Sequence, residues 1–347
     1  MSVGASPRSG GSPACGPGEP QAIVISSCPM CGSERSAVAF EESPYSVRRC
    51  SSCGLGWVTP RLGEDGLAEI YVDDSYWRSG SPKTLGYHDY RADEPLYLET
   101  FRRRLGFVLA HGPQGGRALD IGCAAGFCMQ ALRERGFEAH GVEVSETIAR
   151  HASEHFGFAT VHVGTLQSAS FAERSFDLIT LWDVVEHVVD PRALLVQARE
   201  LLAPGGLLVL ETQNIDSAFA RLLGSRWHHY KHAEHIYHFT PSTISELLQS
   251  AGLEVQTSTP RFGGKYVSFQ FIAERAARLH PALSTALAPL RRFESASVYL
   301  NFMDEMIVTA SAPRTPSPPP AVATPQASSP PPAVATPQAS SPPSAPA

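Results

Sequence analysis

The chain has 347 residues, 43% of them hydrophobic, and a formal net charge of −6. That length suits about two domains, and the acidic balance argues against a protein built on phosphate-backbone contacts, which need a basic face. No stretch approaches the roughly 18 apolar residues of a membrane-spanning helix, and Met1 to Pro20, rich in Gly, Ser and Pro, lacks the apolar segment of a secretory signal.

Residues 1–22 are expected to be disordered, being small and polar. Residues 23–60 carry Cys28-Pro29-Met30-Cys31 and Cys50-Ser51-Ser52-Cys53. The spacing C-x2-C-x18-C-x2-C is that of a four-thiolate zinc ribbon. A structural Zn2+ on Cys28, Cys31, Cys50 and Cys53 would clamp a segment too small to fold on its own core. Its charges, Glu34, Arg35, Glu41, Glu42, Arg48 and Arg49, balance, so it does not read as a nucleic-acid module. The remaining cysteines, Cys15, Cys123 and Cys128, suggest no disulfide scaffold, and a reducing cytoplasm fits best.

Residues 61–115 are helical and aromatic, a lid or linker. Residues 116–310 alternate as an α/β fold does. Arg117–Ile121 is a short apolar strand, and Gly126 to about Arg135 a helix ended by Gly136. Strands follow at His140–Val144 and Phe176–Trp182. Asp190-Pro191 caps a helix whose apolar positions are Leu194, Leu195, Ala198, Leu201 and Leu202, and Pro204-Gly205-Gly206 stops it. Leu207–Thr212 is the next strand, Thr240-Pro241 opens a helix ended by Gly252, and Tyr299–Thr309 reads as a last strand. Residues 311–347 form a Pro-rich tail in which SPPPAVATPQAS, Ser317–Ser328, is repeated at Ser329–Ser340. With few charges and no aromatic residue, it is expected to be disordered and polyproline-like.

The loop from Ala118 to Gly126 leaves a strand and enters a helix. Its small residues admit a ligand close to the backbone. Glu143, 21 residues after Gly122, ends the next strand, where a carboxylate can accept both hydroxyls of a ribose. A dinucleotide site would place glycines where Ala124 and Phe127 stand. Asp120 would also repel a pyrophosphate, whereas it would attract the ammonium of S-adenosylmethionine. The charges therefore prefer a cationic, ribose-bearing cofactor.

Leu119-Asp120-Ile121-Gly122-Cys123-Ala124-Ala125-Gly126 resembles motif I of the class I methyltransferases. Gly141–Ser145 resembles their acidic second motif, Gly164-Thr165-Leu166 their adenine-facing segment, Phe176–His187 their fourth-strand motif, and Leu202–Gly206 the turn before the fifth strand. Ala124 departs from the commonest motif, which has Gly there. The resemblance implies a Rossmann-like sheet, mostly parallel with an antiparallel last strand. It implies S-adenosylmethionine as cofactor, held by Tyr90, Asp120, Gly122, Cys123, Ala124, Phe127, Glu143, Val144, Thr165, Leu166, Trp182 and Asp183. Tyr87 and Tyr90 resemble an aromatic lid whose faces attract a sulfonium. The four-cysteine unit ahead of such a core is similar to the arrangement in sugar C-methyltransferases.

A hydroxyl or carbon acceptor needs a general base, and histidine suits neutral pH. Glu186-His187 follows the fourth strand, and five histidines fall within His228–His238. His187 and His235 are the expected catalytic residues. A metal site on His229, His232, His235 and His238 is the alternative, since they recur every third residue. The expected function is O- or C-methylation of a small-molecule acceptor, a sugar or a secondary metabolite among them. A ribosomal RNA base methyltransferase and a non-catalytic scaffold are the alternatives. Trp182-Asp183-Val184-Val185 in place of an Asn/Asp-Pro-Pro-aromatic motif disfavours base amino groups.

Overall fold

The computed structural model describes residues 22–73, 76–77, 90–269, 272 and 296–313. The expected disordered segments 1–22 and 311–347 lie almost wholly outside the described residues, as does Tyr87.

The elements in chain order are β1 (Ala22–Ile23), β2 (Ser36–Glu42), β3 (Tyr45–Cys50), β4 (Gly56–Thr59), β5 (Arg61–Leu62), α1 (Glu64–Val72) and α2 (Glu94–Val108). There follow β6 (Gly116–Ile121), α3 (Phe127–Arg133), β7 (Phe137–Glu143), α4 (Glu146–Phe156), β8 (Val161–Val163), β9 (Phe176–Trp182), α5 (Pro191–Leu201) and β10 (Leu202–Gln213). The last are α6 (Ala218–Leu223), β11 (Tyr237–His238), α7 (Pro241–Ser250), β12 (Glu254–Thr259), β13 (Lys265–Ser268), β14 (Ser297–Leu300) and β15 (Glu305–Ser311).

Seven strands form the central sheet in the order β12-β15-β10-β9-β6-β7-β8. All run parallel except β15, which lies antiparallel between β10 and β12. This is a Rossmann-like methyltransferase sheet. β6 and β9 are apolar almost throughout because both sheet faces are covered, and Leu119, Leu178, Ile179 and Leu181 are fully buried. Removing such a side chain costs about 2–5 kcal/mol through lost burial and the cavity left behind. The start of α5 is fixed by Asp190, whose carboxylate accepts from Ala193 N at 2.9 Å. Thr240 and Thr243 form a reciprocal cap at α7.

Two strands depart from expectation. Tyr299–Thr309 is not one strand but β14 and β15, which belong to different sheets. Met303, with φ of 60°, turns the chain between them. β10 begins at Leu202, and the Pro204-Gly205-Gly206 turn is a register shift within it.

The four-cysteine unit has a second sheet, β11-β4-β3-β2. Its fourth strand, β11, comes from the histidine-rich loop and pairs Tyr237 with Trp57 and His238 with Gly56. Arg49 adds a two-pronged ion pair to Asp216 at 2.8 and 2.6 Å. Among the described residues no helix is long and apolar enough to cross a membrane.

Candidate functional site

A cavity of about 420 Å³ opens at the carboxyl ends of β6, β7 and β9, where ligands bind in sheets of this kind. α1, α2 and Tyr90 close it from above. Eleven of the twelve residues expected to hold the cofactor line it: all but Phe127. Phe127 lies one layer deeper, 1% exposed, stacked beneath Tyr90 at 5.2 Å.

The β6–α3 loop is tightly built. Gly122 has φ of 76°, and a Cβ there would meet Val184 Cγ2 at 2.7 Å. Ala124 has φ of 44°, the left-handed region that glycine occupies at no cost, which explains why glycine is usual there. Asp120 is buried and accepts from Thr180 Oγ1 at 2.6 Å. Burial pushes its carboxyl up to about 7, with Glu143 adding to the rise and Thr180 and Cys128 opposing it. Glu143 accepts from Ala124 N and Ser145 N, both at 2.9 Å. Burial raises this carboxyl too, and the backbone donors counter it. The second lone pair of each oxygen is left for a ligand hydroxyl. Thr165 caps the short turn Leu166–Ser168. Trp182 donates its indole N–H to Cys128 Sγ at 3.1 Å, which fixes the ring on the cavity wall.

His187 lines the same cavity from the β9 side. Its Nδ1 lies 2.9 Å from Glu234 O and 2.7 Å from Tyr71 Oη. A carbonyl only accepts, so in that contact Nδ1 carries the hydrogen and Nε2 keeps the lone pair. Burial holds the imidazole below its ordinary range, Lys231 adding to the effect and Glu234 opposing it. His187 is therefore neutral near pH 7. His235 does not line the cavity. It is 3% exposed and packs edge-on against His187 at 4.6 Å, and burial pushes its imidazole well down.

The four histidines spaced by three do not converge. His229 turns to Asp304 and Glu305, His232 to Glu42 at 3.3 Å, His235 to His187, and His238 to the rings of Trp227 and Tyr230. The loop between Trp227 and Ile236 is irregular, so spacing of three does not place side chains on one face.

A buried ion network beside the cavity escaped the reading of the sequence. Arg104, on α2, pairs with Glu211 at 2.6 Å and approaches Glu305 at 3.6 Å, and Lys265 pairs with Glu305 at 3.2 Å. Arg104 and Lys265 both line the cavity. Their partners stand on strands distant in sequence, so only the fold brings them together.

The four cysteine sulfurs gather within 4.8 Å of one another. Cys28 and Cys53 sulfurs are 3.5 Å apart, Cys31 and Cys50 sulfurs 3.6 Å. Thiolates about 2.3 Å from a tetrahedral ion lie about 3.8 Å apart, so the cluster accepts such an ion with little movement. Burial raises the Cys50 thiol, but the backbone N–H groups of Cys53 and Ser52 and the Cys31 and Cys53 thiols outweigh it and bring it to about 6. Burial pushes the Cys28 and Cys53 thiols up instead.

Residues 90–258 match the Methyltransferase domain family. The chain is 31% identical over 178 residues to the ubiquinone biosynthesis O-methyltransferase of Xanthomonas axonopodis pv. citri (strain 306), covering 47% of this chain and 70% of that protein. It is 33% identical over 151 residues to the enzyme of the same name from Cereibacter sphaeroides (strain KD131), covering 41% and 61%. A solved structure of phosphoethanolamine N-methyltransferase 2 from Haemonchus contortus, in complex with S-adenosyl-L-methionine, aligns with a TM-score of 0.43 at 18% identity, over 79% of this chain and 70% of that one. With its motif-bearing loop, its sheet order and a relative 31% identical over 70% of that relative's length, the chain belongs to the class I S-adenosylmethionine-dependent methyltransferases.

Proposed function

We propose that this methyltransferase acts on a hydroxyl of a small-molecule acceptor, with His187 as the general base. The observation that carries the reading is that His187 opens on the same cavity as Asp120 and Glu143. When bound, S-adenosylmethionine supplies an electrophilic methyl group. Asp120 would meet its ammonium and Glu143 its ribose hydroxyls. Thr165 and Leu166 would flank the adenine, and Tyr90 and Trp182 would close over the sulfonium side. His187 Nε2, held by the Nδ1 contact to Glu234 O, would take the proton of the acceptor hydroxyl. His235 would keep the His187 ring in place from behind. The hydroxyl acceptor rests on the relatives, which are named as O-methyltransferases of ubiquinone biosynthesis. The four cysteines would hold a structural Zn2+.

The test follows transfer of a labelled methyl group from S-adenosylmethionine to a panel of phenols, sugars and an RNA transcript. Transfer to a small hydroxylated acceptor is expected. His187→Ala is expected to lower kcat by about 10²–10⁴-fold while leaving cofactor affinity in place. Methylation of RNA alone would overturn the reading, and absence of cofactor binding would favour a scaffold.

A further inference from the structure

A second group of metal-type ligands lies outside both the cofactor cavity and the cysteine cluster. It forms where the loop after α6 meets the start of β15. His228 Nε2 and His229 Nε2 lie 3.9 and 3.8 Å from Asp304 Oδ2, and His229 Nε2 lies 3.4 Å from Glu305 Oε1. Ligand atoms of His228, His229 and Glu305 all fall within 4.8 Å of one another. Nitrogen and oxygen ligands about 2.1 Å from a tetrahedral ion stand about 3.4 Å apart. His229 and Glu305 stand at that spacing, and the contacts of both imidazoles to Asp304 are about half an ångström longer.

Several observations point to a ligand here. His229 is 5% exposed, yet its Nε2 makes no hydrogen bond, so a buried lone pair or N–H faces the carboxylates without a well-aligned partner. Asp304 is oriented from outside the group: its Oδ2 accepts from Trp227 Nε1 at 2.8 Å, and its carbonyl accepts from Asn214 N at 2.7 Å. Such outer partners are what hold a metal ligand in position. Arg104 pairs with Glu211 and Lys265 with Glu305, whereas Asp304 faces the two imidazoles. His228, whose side chain is 36% exposed, provides the way in from solvent.

We propose that His228, His229, Asp304 and Glu305 form a second metal site, separate from the four cysteines. Two imidazoles with carboxylates suit Zn2+ or a neighbouring first-row divalent ion rather than Mg2+ or Ca2+, which prefer oxygen alone. The ion would clip the histidine-rich loop onto β15. It would also draw on Glu305, the partner of Lys265, so its presence would be felt one side chain from the acceptor space.

Cobalt distinguishes the two sites. The full chain, with zinc in its cysteine cluster, is titrated with Co2+ and followed by absorption. One saturable equivalent with visible d–d bands is expected, without the near-ultraviolet sulfur-to-cobalt band that thiolate ligation produces. His228→Ala and Asp304→Asn are each expected to weaken that equivalent at least tenfold. His228→Ala removes a side chain at the surface and leaves the buried groups in place. The proposal is overturned if no saturable band appears. It is equally overturned if the band carries the sulfur signature, or if both variants bind as the parent does.

Discussion

With Asp120 set against the cofactor ammonium, as proposed, binding should depend on pH. In the free protein burial raises its carboxyl to about 7, and the nearby Glu143 contributes to the rise. A bound ammonium favours the ionised form. Below pH 7 the free protein therefore holds a proton on Asp120 that the complex does not, and binding releases it. Affinity should rise with pH up to about 7 and be level above. Each unit below the pKa costs about tenfold, or about 1.4 kcal/mol. Affinity for S-adenosylmethionine at pH 6 should be roughly a tenth, and at pH 5 roughly a hundredth, of its value at pH 8. Calorimetry at pH 6 in two buffers of different ionisation enthalpy should show close to one proton released per cofactor. Glu143 is raised as well, so Asp120→Asn separates the two. The variant should lose most of the slope, and at pH 8 should bind about 10- to 100-fold more weakly through loss of a charge-assisted hydrogen bond. Affinity that stays flat between pH 5.5 and 8, or a slope unchanged in the variant, would refute the reasoning.

Other expectations follow from particular contacts. Ala124→Gly relieves a left-handed alanine, offset in part by the greater freedom of glycine in the unfolded chain, and should stabilise the fold by about 0.5–1 kcal/mol in denaturant melts. Gly56→Ala would place a Cβ 2.9 Å from His238 Cβ and 3.2 Å from His238 O, prising β4 from β11. It should cost about 1–3 kcal/mol of stability and lower kcat more than it weakens cofactor binding. With Zn2+ held by the four cysteines, as proposed, its removal by a chelator should lower near-ultraviolet circular dichroism, since Trp57 sits in the same sheet, and should slow methyl transfer; unchanged turnover after complete metal loss would disprove that coupling.

The parts of the fold legible in the sequence are those where local chemistry and burial agree. β6 and β9 are apolar runs covered on both faces, and α5 and α7 carry side-chain caps, so each announces itself without its neighbours. β8 and β12 do not. β8 has three residues at a sheet edge, and β12, Glu254–Thr259, is polar and largely exposed on the other edge. α4 buries Ile148, Ala149 and Ala152 on one distinct face and was legible in principle, though it was not read. Phe302 and Met303 mislead in the opposite sense: they are apolar, about half exposed, and form the break between β14 and β15 rather than a strand. Asp120 and Glu143 could be placed beside the cavity from the sequence because each stands at the end of a strand of the parallel sheet, where the crevice opens. The histidines were readable as a group but not one by one, because spacing carries direction only in a regular element.

That limit bears on why a cysteine unit sits ahead of this catalytic core. The segments that carry His187 and His235 are tied to it through backbone hydrogen bonds. Glu186 O accepts from Ile236 N at 3.0 Å and from Tyr237 N at 3.2 Å, and Ile236 O accepts from Val58 N at 3.0 Å. His187 follows the first of these residues and His235 precedes the second. β4 thus holds one end of a chain of hydrogen bonds whose other end is the catalytic side of β9. The exposed Arg49–Asp216 pair alone would contribute little to that attachment. Strand pairing, with Trp57 and Val58 fully buried beneath it, contributes far more. A small unit with so few apolar residues of its own gains a core only by packing on the methyltransferase domain, and the domain's histidine loop gains an ordered strand only by entering the unit's sheet. Each supplies what the other lacks, so the cysteine unit supports the histidine loop through β11 without itself lining the cavity.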